Sequence, residues 1–143
     1  MKVGLGEAVP FVKTIGLEYV DLGPGTATVR LPDRPEQANH VGSQHAGTLF
    51  TVAETASGGA FISAFVERLG EVTPLAKSAR IDYEKLAKGP IDATATLGDS
   101  DALLDALDRD GKVEFPIEVE LRDQDGTRVA TATVDWHVRK QPS

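Results

Sequence analysis

Cysteine is absent from this chain of 143 residues. Its absence excludes disulfide bonds, thiol catalysis and zinc sites built on cysteine, and it is typical of a protein kept in a reducing compartment. No apolar run approaches the roughly 18 residues of a membrane-spanning helix. The N-terminal sequence also lacks the apolar core of a signal peptide. We therefore expect a cytoplasmic protein that does not enter a membrane.

Basic clusters are absent too. The chain has 22 Asp and Glu against 15 Lys and Arg, which leaves a net charge of −7. A chain of this kind is not expected to bind nucleic acid or an anionic membrane surface. The His, Asp and Glu residues show no metal-ligand spacing, and no glycine-rich phosphate loop is present. We accordingly expect neither a metal nor a bound cofactor.

Neither a repeat nor a linker divides the chain, so we predict one domain over residues 1–143. Periodicity predicts a long helix from His45 to Arg68. It also predicts short helices at 5–13 and 101–110, and six strands at 15–22, 26–31, 77–86, 91–97, 113–121 and 127–138. This order predicts an α+β fold in which an antiparallel sheet of about six strands curls around one long central helix.

The predicted central helix is apolar on almost every side, yet it contains one carboxylate, Glu54. A helix of this pattern is expected to be buried all round. The glycines within 56–60 weaken a helix by roughly 1 kcal/mol each, which suggests that another backbone approaches closely there. A carboxylate among apolar residues has a raised pKa and suits a general base. The N–H of Ala46 or Gly47, at the start of the helix, could hold an oxyanion.

A motif runs through this region: Asn39, then His45-Ala46-Gly47, then Glu54 nine residues after the histidine. Together with the order of elements, it resembles the motif of hotdog-fold acyl-CoA thioesterases of the phenylacetate-pathway type and their uncharacterised relatives. Those proteins have His-Gly-Gly where this chain has His-Ala-Gly, and Ala46 keeps the backbone N–H of the first glycine. The resemblance implies a hotdog fold and a thioester hydrolase.

The resemblance also implies a role for each residue of the motif. Glu54 is the general base or the nucleophile, and both alternatives stay open. Ala46 or Gly47 supplies the oxyanion hole, Asn39 orients the water or the thioester, and His45 supports the site. The substrate is a thioester of CoA or of an acyl carrier, so CoA enters as part of the substrate and not as a cofactor.

CoA is a polyanion, and a chain of net charge −7 must meet it with local positive charge. Arg80, Lys85 and Lys88, on and just after the strand that follows the helix, are candidate phosphate partners. Tyr83 on the same strand is a further candidate for substrate contact. Ser57 could line the site, and a small packing residue at that position is the alternative.

Glu54 comes eight residues after Ala46, which is about 12 Å along a helix axis. One thioester carbonyl cannot touch both residues of a single chain. A twofold dimer with antiparallel helices would bring Glu54 of one subunit to the helix start of the other, and the small residues 56–60 would face the partner helix. We therefore expect a homodimer, or a homotetramer built as a dimer of dimers, with composite sites. Hotdog proteins as a family are dimeric or larger.

Two other functions stay open. Hotdog hydroxyacyl dehydratases pair a loop histidine with a helix glutamate fourteen residues later, and His40 precedes Glu54 by fourteen residues. The proline-rich turn that those enzymes carry is replaced here by Gly42-Ser43-Gln44-His45. A non-catalytic acyl-binding module, in contrast, would bind its ligand without turnover.

Overall fold

The computed structural model describes residues 9–142. These residues form three α-helices, α1 (Pro10–Ile15), α2 (Ala46–Ala64) and α3 (Ser100–Asp110). Their six strands are β1 (Glu18–Gly23), β2 (Thr26–Leu31), β3 (Val72–Tyr83), β4 (Ile91–Thr96), β5 (Lys112–Arg122) and β6 (Arg128–Lys140). Short 3-10 helices cover Pro35–Gln37 and Val66–Glu71. The first helix, predicted at 5–13, runs instead from Pro10 to Ile15, and residues 5–8 lie outside the described part.

All six strands form one antiparallel sheet in the order β1-β2-β4-β5-β6-β3. Gly25 and Gly126 close the two tight turns of the sheet with φ of 78° and 82°, a backbone region that glycine enters without steric strain. Helix α2 packs across one face of this sheet. The predicted α+β architecture is therefore confirmed.

The small residues of α2 pack against the sheet of their own chain. A Cβ on Gly59 would lie only 2.9 Å from the Cβ of Ala27 on β2 and 3.2 Å from Cε1 of Tyr19 on β1. Ala56 and Ala60 are fully buried in the same core. The prediction that residues 56–60 face a partner helix is therefore wrong for Ala56, Gly59 and Ala60, because these residues pack within their own chain and the backbones that approach Gly59 are β1 and β2. Gly58 alone of the three central small residues is half-exposed.

One face of α2 remains open in the protomer. Gly47 is exposed, Phe50 is 39% exposed and Glu54 is half-buried. These three residues share one side of the helix, since they are spaced by three and four positions. The expectation that α2 is buried on every side is therefore wrong for the single chain.

Strand β3 forms one edge of the sheet, and nearly all of its twelve residues are exposed. Ala79, Ile81 and Tyr83 lie on the face that carries α2, because they pair with inward-facing residues of β6. Their own helix leaves this apolar row uncovered. The strand begins at Val72, five residues before the predicted start, and it includes Pro74, which an edge strand tolerates.

Within residues 9–142, no helix combines the length and the apolar character needed to cross a bilayer.

Candidate active site

The loop before α2 is shaped by Asn39. Its Oδ1 accepts hydrogen bonds from the N–H groups of Val41 and Ser43, each at 3.0 Å. Its own N–H donates to the carbonyl oxygen of Ser43 at 2.7 Å. The side-chain Nδ2 makes no hydrogen bond within residues 9–142, so its two donors stay available. The side-chain oxygen of Asn39 therefore stabilises the turn, and its side-chain nitrogen can donate hydrogen bonds to a group outside residues 9–142.

Gln44 and Ser43 join this loop to the loop 84–90. The buried Gln44 donates through Nε2 to the carbonyl of Gly89 at 3.0 Å, and its N–H donates to the carbonyl of Ala87 at 2.8 Å. The N–H of Ala87 donates to Ser43 Oγ at 3.3 Å. Sequence analysis assigned no role to these two residues, because no local pattern marks a buried loop glutamine. The two loops form one unit beside the start of α2.

His45 is the N-cap of α2. Its Nδ1 accepts the N–H of Gly47 at 2.8 Å, so in this arrangement the ring proton is on Nε2. A Cβ on residue 47 would lie 3.0 Å from Nδ1, which is tighter than nearly all real contacts. A side chain at position 47 would therefore have to displace the exposed imidazole by a few tenths of an ångström, so glycine favours this capping arrangement. This contact gives His45 a direct part in holding the helix start.

Of the N–H groups that open α2, that of Ala46 alone has no acceptor within residues 9–142. The N–H of Gly47 is taken by His45 Nδ1, and those of Thr48 and Leu49 donate to the carbonyl of His45 at 3.0 and 3.1 Å. The helix start carries a partial positive charge, so this free donor suits an oxyanion. Between the two candidates, the geometry favours Ala46 over Gly47.

Tyr83 anchors this helix start to the edge strand. Its hydroxyl donates to the carbonyl oxygen of Ala46 at 3.0 Å, and burial raises the pKa of the Tyr83 phenol, which keeps it protonated. The hydroxyl that was expected to contact substrate is thus engaged with the backbone. This hydrogen bond fixes the peptide group between Ala46 and Gly47, which directly follows the free N–H of Ala46.

Glu54 lies two turns farther along α2, on its open face. Burial raises the pKa of the Glu54 carboxyl, and the carboxylate has neither a hydrogen bond nor an ion pair within residues 9–142. A carboxylate with a raised pKa and no partner is suited to accept a proton from water. The eight residues between Ala46 and Glu54 correspond to about 12 Å along one continuous helix.

Tyr19 of β1 is a residue that sequence analysis missed. It pairs with the fully buried Val29, so its side chain lies on the α2 face of the sheet. Burial is the main cause that raises the pKa of the Tyr19 phenol, and the negative charge of Glu54 raises it further. The two side chains are therefore within electrostatic reach of each other. Only the strand register could have revealed this, because nothing near Tyr19 in sequence forms a motif.

Ser57 is fully buried, and its hydroxyl is occupied. It accepts the indole N–H of Trp136 at 3.1 Å and donates to the backbone carbonyl of Glu54 at 2.7 Å. These bonds favour the packing alternative for Ser57 over contact with substrate.

The three candidate cations lie in two settings. Arg80 points away from α2 on the outer face of β3 and pairs with Asp82 at 3.2 Å. Lys85 and Lys88 are exposed on the loop 84–90, beside the helix start, and neither has an ion-pair partner within residues 9–142. Among the described residues, no three His, Asp or Glu side chains come together as a metal site.

Comparison with known proteins identifies the family. The model of a family described as a domain of unknown function, DUF4442, matches residues 1–138. The chain belongs to this family. A solved structure, PA5026 of Pseudomonas aeruginosa, described as a protein of unknown function and probable thioesterase, is 31% identical. Its TM-score is 0.89, and the match covers 98% of this chain and 93% of that one.

More distant structures share the fold. PaaI, from the phenylacetic acid degradation operon of E. coli, is 23% identical with a TM-score of 0.69, over 87% of this chain and 85% of that one. OLEI01261 of Chlorobaculum tepidum is 17% identical with a TM-score of 0.86, over 98% and 92%. No curated protein matches the chain. The hotdog fold is confirmed, and the relatives are thioesterase-like.

Proposed function

We propose that this DUF4442 protein is a thioester hydrolase that acts on acyl-CoA thioesters. The observation that carries the proposal is the open face of α2. Within residues 9–142, that face begins at one N–H without an acceptor, on Ala46, and contains one half-buried carboxylate without a hydrogen bond or ion pair, Glu54. The likeness to PA5026 supports a hydrolase of this class.

In the proposed reaction, the N–H of Ala46 binds the thioester carbonyl oxygen and stabilises the charge that develops on it. Glu54 accepts a proton from a water molecule as the water oxygen attacks the carbonyl carbon. The tetrahedral intermediate then collapses, the C–S bond breaks, and the thiolate leaves and takes up a proton. The free amide donors of Asn39 are suited to orient the water or the thioester. Direct attack by Glu54, through a mixed anhydride, is the alternative route.

The proposed site needs two subunits, because one chain holds Ala46 and Glu54 about 12 Å apart. Two uncovered surfaces support a twofold dimer: the open face of α2 and the apolar row Ala79, Ile81 and Tyr83 of edge strand β3. A second β3 pairing along this edge would cover both surfaces and remove the exposed strand edge. In such a dimer, Glu54 of one chain serves the Ala46 N–H of the other.

Lys85 and Lys88 are the proposed phosphate partners of CoA, because neither has an ion-pair partner among residues 9–142 and their loop is hydrogen-bonded to the loop before α2. Arg80 would have to leave Asp82 to take part. The pantetheine thioester is common to CoA and to acyl carrier proteins. The assay of the proposed function therefore compares hydrolysis of both kinds of thioester.

The dehydratase alternative gains no support from the geometry. His40 is exposed on its loop and makes no hydrogen bond within residues 9–142. It therefore serves as a control position.

The test is release of free thiol from a panel of aliphatic and aromatic acyl-CoAs and one acyl-carrier thioester. We expect turnover by the wild type. Glu54→Gln should lower kcat by about 10²- to 10⁴-fold with the oligomer intact, and His40→Ala should keep most of the activity. No thiol release from any substrate would overturn the proposed function. Near-wild-type rates in Glu54→Gln would remove Glu54 from the mechanism.

A further inference from the structure

Tyr19 carries a hydroxyl that makes no hydrogen bond within residues 9–142. The ring itself is firmly packed. Its Cε1 lies 3.2 Å from the place where a Cβ on residue 59 would sit, and Ala27 and Leu22 approach the same point. The ring can lie against α2 at this position only because residue 59 is glycine. The aromatic ring is therefore held in place, while its hydroxyl has no partner among the described residues.

A β-bulge directs this side chain. The register of β1 against β2 shifts between Tyr19 and Asp21, so one extra residue is inserted just after the tyrosine. Bulges re-aim neighbouring side chains and are frequent beside functional sites. The charge of Glu54 acts on the Tyr19 phenol. The hydroxyl and the proposed catalytic carboxylate are thus within electrostatic reach of each other, and no hydrogen bond joins them.

A second hydroxyl without a partner lies nearby on α2. Thr55 Oγ1 is buried and has no hydrogen-bond partner in the described part of the chain. Thr55 is one helical turn before Gly59, against which the Tyr19 ring packs. Buried polar groups almost always have a partner, supplied by protein, water or ligand. Two hydroxyls on the facing elements β1 and α2, those of Tyr19 and Thr55, therefore have no hydrogen-bond partner within residues 9–142.

We propose that Tyr19 is a specificity-determining residue, whose O–H donates a hydrogen bond to an oxygen atom carried by the acyl group. The protein would then prefer acyl groups with a hydroxyl or carbonyl oxygen over hydrocarbon acyl groups of the same length. This inference rests on the proposed thioester hydrolysis, and it places the acyl group in the subunit that supplies Glu54.

The physical basis is the penalty for leaving a half-buried donor unpaired. A phenol with a raised pKa stays protonated at physiological pH, so Tyr19 always offers a donor. A hydrocarbon chain that displaces water from this hydroxyl gives no hydrogen bond in return, whereas an acyl oxygen does. Sites built around such a donor discriminate more strongly than an apolar pocket that only measures chain length.

The experiment compares kcat/KM for pairs of acyl-CoAs that have the same carbon skeleton, one member with a hydroxyl group and one without. We expect the wild type to favour the oxygen-bearing member by about tenfold or more. Tyr19→Phe keeps the ring and should reduce this ratio toward one, chiefly by slowing the oxygen-bearing substrate. The thermal midpoint of the variant verifies that the fold is kept.

Tyr83→Phe is the matched control, because the chain has only two tyrosines and the same atom is removed. This variant loosens the helix start whichever substrate is bound. It should therefore lower kcat/KM for both members of each pair and leave the ratio between them unchanged. Turnover by the wild type without preference in any pair would overturn the inference, and so would an unchanged ratio in Tyr19→Phe. Absence of turnover on every thioester would instead contradict the proposed function.

Discussion

The two faces of helix α2 differ in what covers them. On the sealed face, Val52, Ala56 and Ala60 are fully buried against the sheet of the same chain. On the open face, Gly47 and Phe50 are exposed, and Glu54 is half-buried with no hydrogen bond or ion pair to residues 9–142. One helix of 19 residues thus supplies the core of the fold on one side and the candidate chemistry on the other.

The difference shows what each kind of residue is selected to do. Small apolar residues on the sealed face let β1 and β2 approach closely, and this packing stabilises one protomer. The open face instead leaves apolar area and a desolvated carboxylate uncompensated, which lowers the stability of a lone chain. Such a surface is consistent with a face that works against a second subunit.

At the exposed end of the open face, the largest effect is expected from Ala46→Pro, which removes the free N–H at the helix start. Proline fits the first position of a helix, and His45 already has the extended ψ of 140° that a residue before proline adopts. The fold should therefore survive, while kcat falls by about 10²- to 10³-fold, the usual effect of losing one oxyanion donor. Ala46→Gly keeps the N–H and should stay close to wild-type activity. Equal activity of the proline and glycine variants would remove this N–H from the site.

Mixing two inactive variants then tests whether the open faces meet across subunits. A heterodimer of Ala46→Pro with Glu54→Gln has one site in which both groups are intact, if each site takes its N–H and its carboxylate from different chains. Random reassociation should restore about a quarter of wild-type activity, since half of the dimers are mixed and each has one working site. Activity that stays at the level of the parent variants would exclude a site shared between chains.

Much of the structure that underlies the two faces of α2 could be predicted from the sequence. Alternation gave β2 at 26–31, its observed bounds, because its inward residues are buried and its outward residues are not. The spacing from Ala46 to Glu54 follows from helix geometry and needs no tertiary information. The order of elements was sufficient for the fold.

Other features depend on contacts that no local pattern encodes. The glycines of α2 indicate a close approach, but which backbone approaches is decided by strand register, and this is why the partner helix was the wrong choice. Tyr19 reaches the region of Glu54 only through its pairing with Val29. Likewise, nothing beside Gln44 in sequence reveals that its amide is buried between two loops.

Gly58 and Gly59 are adjacent in α2 and offer a smaller test of the two faces. A Cβ on Gly59 would collide with Ala27 at 2.9 Å, whereas a Cβ on Gly58 would meet Trp136 at an ordinary 3.8 Å. Alanine is favoured over glycine in a helix by roughly 1 kcal/mol. Gly58→Ala should therefore raise the free energy of unfolding by about that amount, and Gly59→Ala should lower it by about 1 to 3 kcal/mol through overpacking.

Chemical denaturation of the two glycine variants measures both changes. Loss of stability in Gly58→Ala, which lies one turn after Glu54, would mean that another chain already packs against this position. That result would extend the interface between subunits along the open face. Stabilisation by Gly59→Ala would mean that β1 and β2 move aside easily.

The smallest effect concerns Glu54 and pH. Because burial raises the pKa of Glu54 in the folded chain, the ionised carboxylate is less stable there than in the unfolded chain. The associated stability is fully present below the unfolded pKa and is lost as pH rises through the folded pKa. Glu54→Gln should therefore have a higher thermal midpoint than the wild type at pH 7 to 8, and the difference should disappear below about pH 4.

Asp108, far from the open face, is the control of opposite sign. Its hydrogen bonds with Arg68 and Lys140 lower the pKa of the Asp108 carboxyl to about 2, so its stabilisation is present above the unfolded pKa and is lost as pH falls toward that value. Asp108→Asn should lower the thermal midpoint slightly at pH 7, where Glu54→Gln raises it. A desolvated carboxylate and a paired carboxylate must respond in opposite directions. If both variants shifted the thermal midpoint in the same direction, the burial of Glu54 would not distinguish the open face.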